Sequence, residues 1–125
     1  MTKRILVVED QPDNLQILRD LLTSAGYEMI EAQDGEAGVR VALAERPDLI
    51  LMDIQLPLLD GYEATRRIKA DPALRATPII VVTSYALSGD ETKARAAGCD
   101  GYVPKPYSPR QLLVKIREYL PVSDP

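Results

Sequence analysis

Leu49-Ile50-Leu51-Met52-Asp53-Ile54-Gln55-Leu56-Pro57 is the stretch from which the rest of the chain can be read. Apolar residues run directly into one carboxylate, and a proline follows soon after. A short continuous apolar run predicts a strand buried on both faces, the kind found in parallel sheets. Asp53 then stands at the carboxyl end of that strand, where open α/β sheets place their ligand sites. Taken alone, an acid there reads first as a loop cap, because Asp is a common turn residue. Its companions have to make it chemistry.

The pattern repeats on both sides. Upstream, Ile5 to Val8 is a second buried strand, and it ends in Glu9-Asp10. Pro12 suits the first turn of a helix, with Asp13 and Asn14 near its positive end. Leu15, Leu18, Leu22 and Ala25, joined by Ile17 and Leu21, give that helix an apolar stripe, and Gly26 stops it. Tyr27 to Ala32 is a shorter, less apolar strand, nearer a sheet edge. Asp34-Gly35 marks a turn before a helix over Glu36 to Glu45, which Pro47-Asp48 ends.

Downstream, Asp60-Gly61 is a turn, and a helix follows from about Tyr62 to Ala70. Asp71-Pro72 breaks it, and the residues to Thr77 read as loop or a stray helical turn. Pro78 to Thr83 is a fourth strand and Asp100 to Pro104 a short fifth. Ser88-Gly89-Asp90-Glu91 has capping-box spacing and opens a helix ending near Ala97-Gly98. Ser108-Pro109-Arg110-Gln111 has the same spacing, and Leu112, Leu113, Ile116 and Leu120 stripe the last helix. Five strands alternating with five helices imply a doubly wound α/β fold: a parallel sheet, helices on both faces, right-handed crossovers. One domain over residues 3–120 with a tail at 121–125 is expected.

Bulk properties narrow the function. The 125 residues suffice for one domain with its own core. A net charge of −4 argues against a nucleic-acid-binding surface. The sequence has no His, the commonest general base and zinc ligand, and its single Cys allows no disulfide framework within a monomer. No stretch approaches the roughly 20 apolar residues of a membrane span, and no signal-peptide pattern opens the chain. A cytoplasmic protein without membrane contact is expected.

Polar residues follow the apolar runs at Glu9, Asp10, Asp53, Thr83 and Lys105. In a doubly wound sheet these ends share one edge, so the residues converge. Carboxylates brought together repel, and a divalent cation that seeks oxygen offsets them; Mg²⁺ suits a few carboxylates, a backbone carbonyl and waters. Lys105 adds a mobile cation and Thr83 a hydroxyl donor. Such a set suits phosphoryl transfer, with Asp53 the plausible nucleophile when His, thiolate and Ser–base pairs are missing.

These residues resemble the receiver domain of two-component response regulators, the CheY-like family, over essentially the whole chain. Glu9-Asp10, Asp53 in Met-Asp-Ile-Gln-Leu-Pro, Gly61, Thr83, Tyr102 and Lys105-Pro106 match in order and spacing. Leu49 to Pro57, Gly89-Asp90-Glu91 and Gly98-Cys99 are similar to stand-alone DivK-type receivers. The resemblance implies a flavodoxin-like sheet of order 2-1-3-4-5 and phosphorylation of Asp53 by a partner's phosphohistidine, on a histidine kinase or a histidine phosphotransfer protein. It implies that Glu9, Asp10, Asp53 and the backbone carbonyl of Gln55 hold Mg²⁺, with Mn²⁺ as a substitute. Lys105 would pair with the phosphoryl group, before a cis bond to Pro106. Thr83 and Tyr102 would switch a docking face for a downstream protein on the fourth helix, fifth strand and fifth helix. The implied protein is a signalling module and not an enzyme, a monomer or weak dimer; the alternative is a receiver excised from a larger regulator or hybrid histidine kinase. Ser84 and Tyr85 depart from the small residue usual after Thr83 and bear on the lifetime of the phosphoryl group.

Rival chemistries fit less well. A haloacid-dehalogenase-type hydrolase wants a second acid where Gln55 stands. A flavin or nucleotide site wants glycines and free N–H groups after the first strand, where Glu9-Asp10 would repel phosphate. Cys99 reads as a small buried filler, and Arg66-Arg67 as a solvated helix face.

Overall fold

Alternate residues of each central strand face opposite layers, which fixes where every helix packs. The structure is a computed structural model that describes residues 2–83 and 90–121; Ser84, Tyr85 and the Ser88 cap lie outside these, as does the Asp90 side chain. The strands are β1 (Arg4–Val8), β2 (Glu28–Ala32), β3 (Leu49–Met52), β4 (Ile79–Thr83) and β5 (Gly101–Pro104). They form one parallel sheet of order β2-β1-β3-β4-β5, so the doubly wound reading holds. The helices are α1 (Pro12–Ser24), α2 (Gly35–Glu45), α3 (Gly61–Ala70), α4 (Asp90–Ala96) and α5 (Pro109–Tyr119).

Ile5, Val7, Leu49, Leu51, Ile80 and Val82 pack with Leu15, Leu18 and Leu22 of α1 and with Leu112 and Ile116 of α5. Leu6, Val8, Ile50, Met52, Ile79 and Val81 face the other way, onto Ala42 of α2, Ala64 and Ile68 of α3 and Ala94 of α4. This two-sided burial is why β1, β3 and β4 read as unbroken apolar runs rather than alternating ones. At the edge, β2 is half-exposed along most of its length, as its weaker hydrophobicity foretold.

Helix ends follow local chemistry. Asp34 caps α2 by accepting from the Ala37 amide at 2.7 Å, and Asp60 caps α3 from the Glu63 amide at 2.9 Å. Ser108 and Gln111 form the full capping box on α5. Gly26, at φ +91°, follows α1 in the left-handed region. One reading is corrected. Ile17 is 57% exposed and lies off the α1 stripe, because Leu15, Leu18 and Leu22 already span the buried face. The second helix ends at Glu45 as read, with Arg46 in the left-handed region at φ 48° capping it before Pro47.

One buried group is unsatisfied: among the described residues the Thr65 hydroxyl on α3 has no hydrogen-bond partner. A buried hydroxyl without a partner costs about 1–3 kcal/mol. Thr65→Val keeps the branched shape and removes that cost. It should raise stability by about 1 kcal/mol, read as a higher urea midpoint at unchanged slope; a lower midpoint would mean the hydroxyl is bonded.

Candidate functional site

Parallel register brings the strand ends together. Val8 pairs with Met52, so Glu9 and Asp53 leave the sheet side by side. The Asp53 amide donates to the Val8 carbonyl at 3.1 Å, and the Glu9 amide to the Ala32 carbonyl at 3.0 Å. Thr83 pairs with Pro104 at the end of β5, and the Lys105 amide donates to the Thr83 carbonyl at 2.6 Å. Four strand ends thus deliver Glu9, Asp53, Thr83 and Lys105 to one edge.

Glycine lets α3 start against this edge. A Cβ on Gly61 would lie 2.0 Å from the Asp53 carbonyl oxygen, and one on Gly35 1.8 Å from that of Leu59. Side chains at either place would push the β3–α3 loop away from the acids. The motif reading of Gly61 gave no reason for the residue; close approach supplies it.

Glu9 is the most buried acid of the set, at 3% exposure. Its Oε1 accepts from Asn14 Nδ2 at 2.7 Å and from Lys105 Nζ at 3.2 Å, and its Oε2 accepts from the Asp10 amide at 3.0 Å. Lys105 Nζ also lies 3.7 Å from Asp53 Oδ2, while Asp53 Oδ1 accepts from the Ile54 amide at 2.7 Å. One cation therefore faces two carboxylates.

Burial, then the hydrogen bond and negative charge of Glu9, push the Asp53 carboxyl up from 3.8 to about 7; Lys105 and the Ile54 amide only partly oppose them. For Glu9, burial is outweighed by the bonds and charge that Asp53, Lys105 and Asn14 provide, and its pKa falls below the ordinary value. The two carboxyls compete for one proton, and Asp53 is the one pushed toward holding it. Burial disfavours the Lys105 charge too, but Asp53 and Glu9 more than compensate, and its pKa rises.

Ligand oxygens of Glu9, Asp10 and Asp53 all lie within 4.8 Å of one another. Bonds near 2.1 Å put opposite ligands of Mg²⁺ about 4.2 Å apart, so three hard oxygen donors at this spacing fit such an ion. Gln55 is exposed and lines the cleft beside Asp10. Tyr102 is half-buried against the second core, and the Lys105–Pro106 bond is cis. Cys99 is a buried filler of the same core, its thiol pKa pushed up by burial. Arg66 and Arg67 bond to Glu63 on an exposed helix face. Two residues escaped the sequence reading: Asn14, taken only as a helix-terminus residue, and Tyr107, which lines the small cavity beneath Glu9, Asp53 and Lys105.

Comparison with known proteins agrees. The model of the response regulator receiver domain matches residues 5–117. The chain belongs to the response regulator receiver domain family. This receiver is 43% identical over 120 residues to the polar-differentiation response regulator DivK of Brucella ovis, covering 96% of this chain and 98% of that protein. It is 40% identical, with a TM-score of 0.89, to the receiver domain of sensor histidine kinase PA1611 from Pseudomonas aeruginosa, over 95% of this chain and 98% of that one. That structure has a magnesium ion coordinated in the active-site cleft. Chemotaxis protein CheY4 of Vibrio cholerae shares 28% identity at a TM-score of 0.90, over 96% of this chain and 100% of that chain. Among the described residues no helix is long and apolar enough to cross a membrane.

The shared proton makes stability pH-dependent. Because the folded pKa of Asp53 is raised, the folded state binds more protons than the unfolded one between about pH 4 and 7. Without divalent cations, stability should fall as pH rises through that window. Glu9, shifted the other way, acts only at and below its ordinary range. Asp53→Asn, whose amide donates to Glu9 at every pH, should flatten the fall and gain on the order of 2 kcal/mol near pH 8. Urea unfolding in chelator at both ends of the window measures it; a slope unchanged by the substitution would contradict the shared proton.

Proposed function

We propose that this receiver accepts a phosphoryl group on Asp53 from a phosphohistidine of a histidine kinase or histidine phosphotransfer protein. The observation that carries this is the convergence of a buried carboxylate pair with one lysine at the carboxyl edge. Asp53 must first give up the proton it shares with Glu9. Its free carboxylate oxygen then attacks phosphorus as the bond to the donor's imidazole nitrogen breaks. The electron pair leaves with the imidazole, which takes up a proton. Lys105, already 3.7 Å from Asp53, stays beside the new acyl phosphate and balances its charge.

Glu9, Asp10, Asp53 and the Gln55 carbonyl would hold Mg²⁺, or Mn²⁺ in its place, and the spacing of the three acids supports this. When bound, the ion supplies positive charge to the phosphoryl oxygens. Thr83, buried at the end of β4, is the hydroxyl donor to the phosphoryl group, and Tyr102 on the neighbouring strand is the residue that turns with it. Their movement selects one arrangement of the α4, β5 and α5 face, to which a downstream protein docks. In this reading the protein is a cytoplasmic signalling module, a monomer or weak dimer, and not an enzyme acting on a separate substrate.

Acetyl phosphate with Mg²⁺ should add the mass of one phosphoryl group, read by intact-mass spectrometry. Chelator should abolish the gain, and so should Asp53→Asn. Equal labelling of Asp53→Asn, or none of the wild type, would refute the assignment.

A further inference from the structure

The acid site opens into a cleft of about 520 Å³ whose lining includes Asp10, Gln55, Leu56, Asp60, Tyr62 and Lys93. That is within the range of small-ligand sites, roughly 300–1,000 Å³. The charge around it is one-sided. Asp10 and Asp60 line it, and ligand oxygens of Glu9 and Asp53 lie within 4.8 Å of that of Asp10. An anionic phosphodonor must approach through this negative field.

The lysine at the acids is already engaged. Lys105 is 3.2 Å from Glu9 and 3.7 Å from Asp53. Lys93, exposed on α4, lines the cleft, and its ammonium has no hydrogen bond or ion pair among the described residues. It is a long, flexible cation that forms no ion pair among the described residues.

We propose that Lys93 is a positioning residue for phosphoryl transfer: its ammonium draws anionic phosphodonors into the cleft and holds their charge at its mouth while phosphorus meets Asp53. The inference rests on Asp53 being the acceptor and goes further, naming the residue that favours donors by charge. The ligand class is a small phosphodonor carrying net negative charge. Because Lys93 is exposed, its effect is long-range and sensitive to salt.

The test is the phosphorylation rate at saturating Mg²⁺, followed by intact mass, for wild type, Lys93→Met, Lys93→Glu and Lys93→Arg. Acetyl phosphate, a dianion near neutral pH, is compared with phosphoramidate, which carries less negative charge. With acetyl phosphate at low salt, Lys93→Met should slow labelling about three- to tenfold and Lys93→Glu further, while Lys93→Arg stays near wild type. The loss should be smaller for phosphoramidate and shrink as salt is added, which a merely structural role would not produce. Labelling of Lys93→Met within twofold of wild type, or equal loss with both donors, overturns the role of Lys93 and leaves Asp53 intact. A wild type that takes no phosphoryl group from either donor removes the Asp53 assignment, and this proposal with it.

Discussion

One unfavourable contact governs the carboxyl edge: Glu9 and Asp53 held side by side out of water with a single lysine between them. The protein meets the cost in part. Asn14, the Asp10 amide and Lys105 all donate to Glu9, and the Ile54 amide donates to Asp53. Glu9 receives most of these bonds and is pushed toward its charged form, while burial and then Glu9 itself push Asp53 toward its protonated form. The asymmetry matters chemically. The less buried partner, Asp53, is the one left short of compensation, and anything positive or charge-spreading that arrives there is bound to be favoured.

Such a conflict survives only where the surrounding structure cannot relax it. Asp53 cannot move down, because Met52 is locked into the sheet beside Val8. Nor can it swing outward with its loop, because the loop turns back onto Gly61, whose amide donates to the Ile54 carbonyl at 2.9 Å. The two apolar layers on either side of β1 and β3 supply the rigidity. Stability from ordinary hydrophobic burial is thus offset at one edge by a charge arrangement that favours reactivity.

Most of this was legible in the sequence because it depends on strong local signals. Unbroken apolar runs such as Ile79 to Val82 gave the buried strands, and Asp60 and Ser108 gave helix starts by side-chain chemistry that works over three residues. The acids and Lys105 were legible because each directly follows a strand. Asn14 was not: its role depends on which way the first turn of α1 faces Glu9, a relation across the β1–α1 loop that no periodicity encodes. Ile17 misled for a related reason. An apolar residue next to a helical stripe reads as part of it, and only the packed helix reveals that the stripe is already full. The proton on Asp53 was anticipated as repulsion, but which acid would carry it depended on hydrogen bonds invisible in one dimension.

The opposite edge of the sheet is built on the contrary principle. Asp100, just before β5, accepts from the Ile79 amide and from Lys69 Nζ, each at 2.9 Å. Lys69 also donates to the carbonyls of Thr77 at 2.5 Å and Arg75 at 3.2 Å, and Tyr119 Oη donates to the Asp100 carbonyl at 2.6 Å. One lysine and one aspartate, with complementary charge, tie the end of α3, the start of β4, the start of β5 and the end of α5 together. Charge-assisted bonds of this kind are the strong ones. The strands therefore have a satisfied amino end and a conflicted carboxyl end. A change of charge at Asp53 acts on the end with unmet electrostatic demand, while the far end holds β4, β5 and α5 in register. Under the proposed phosphorylation of Asp53, that polarity would let a single covalent event at one carboxylate bias the arrangement of neighbouring elements without loosening the sheet that carries them.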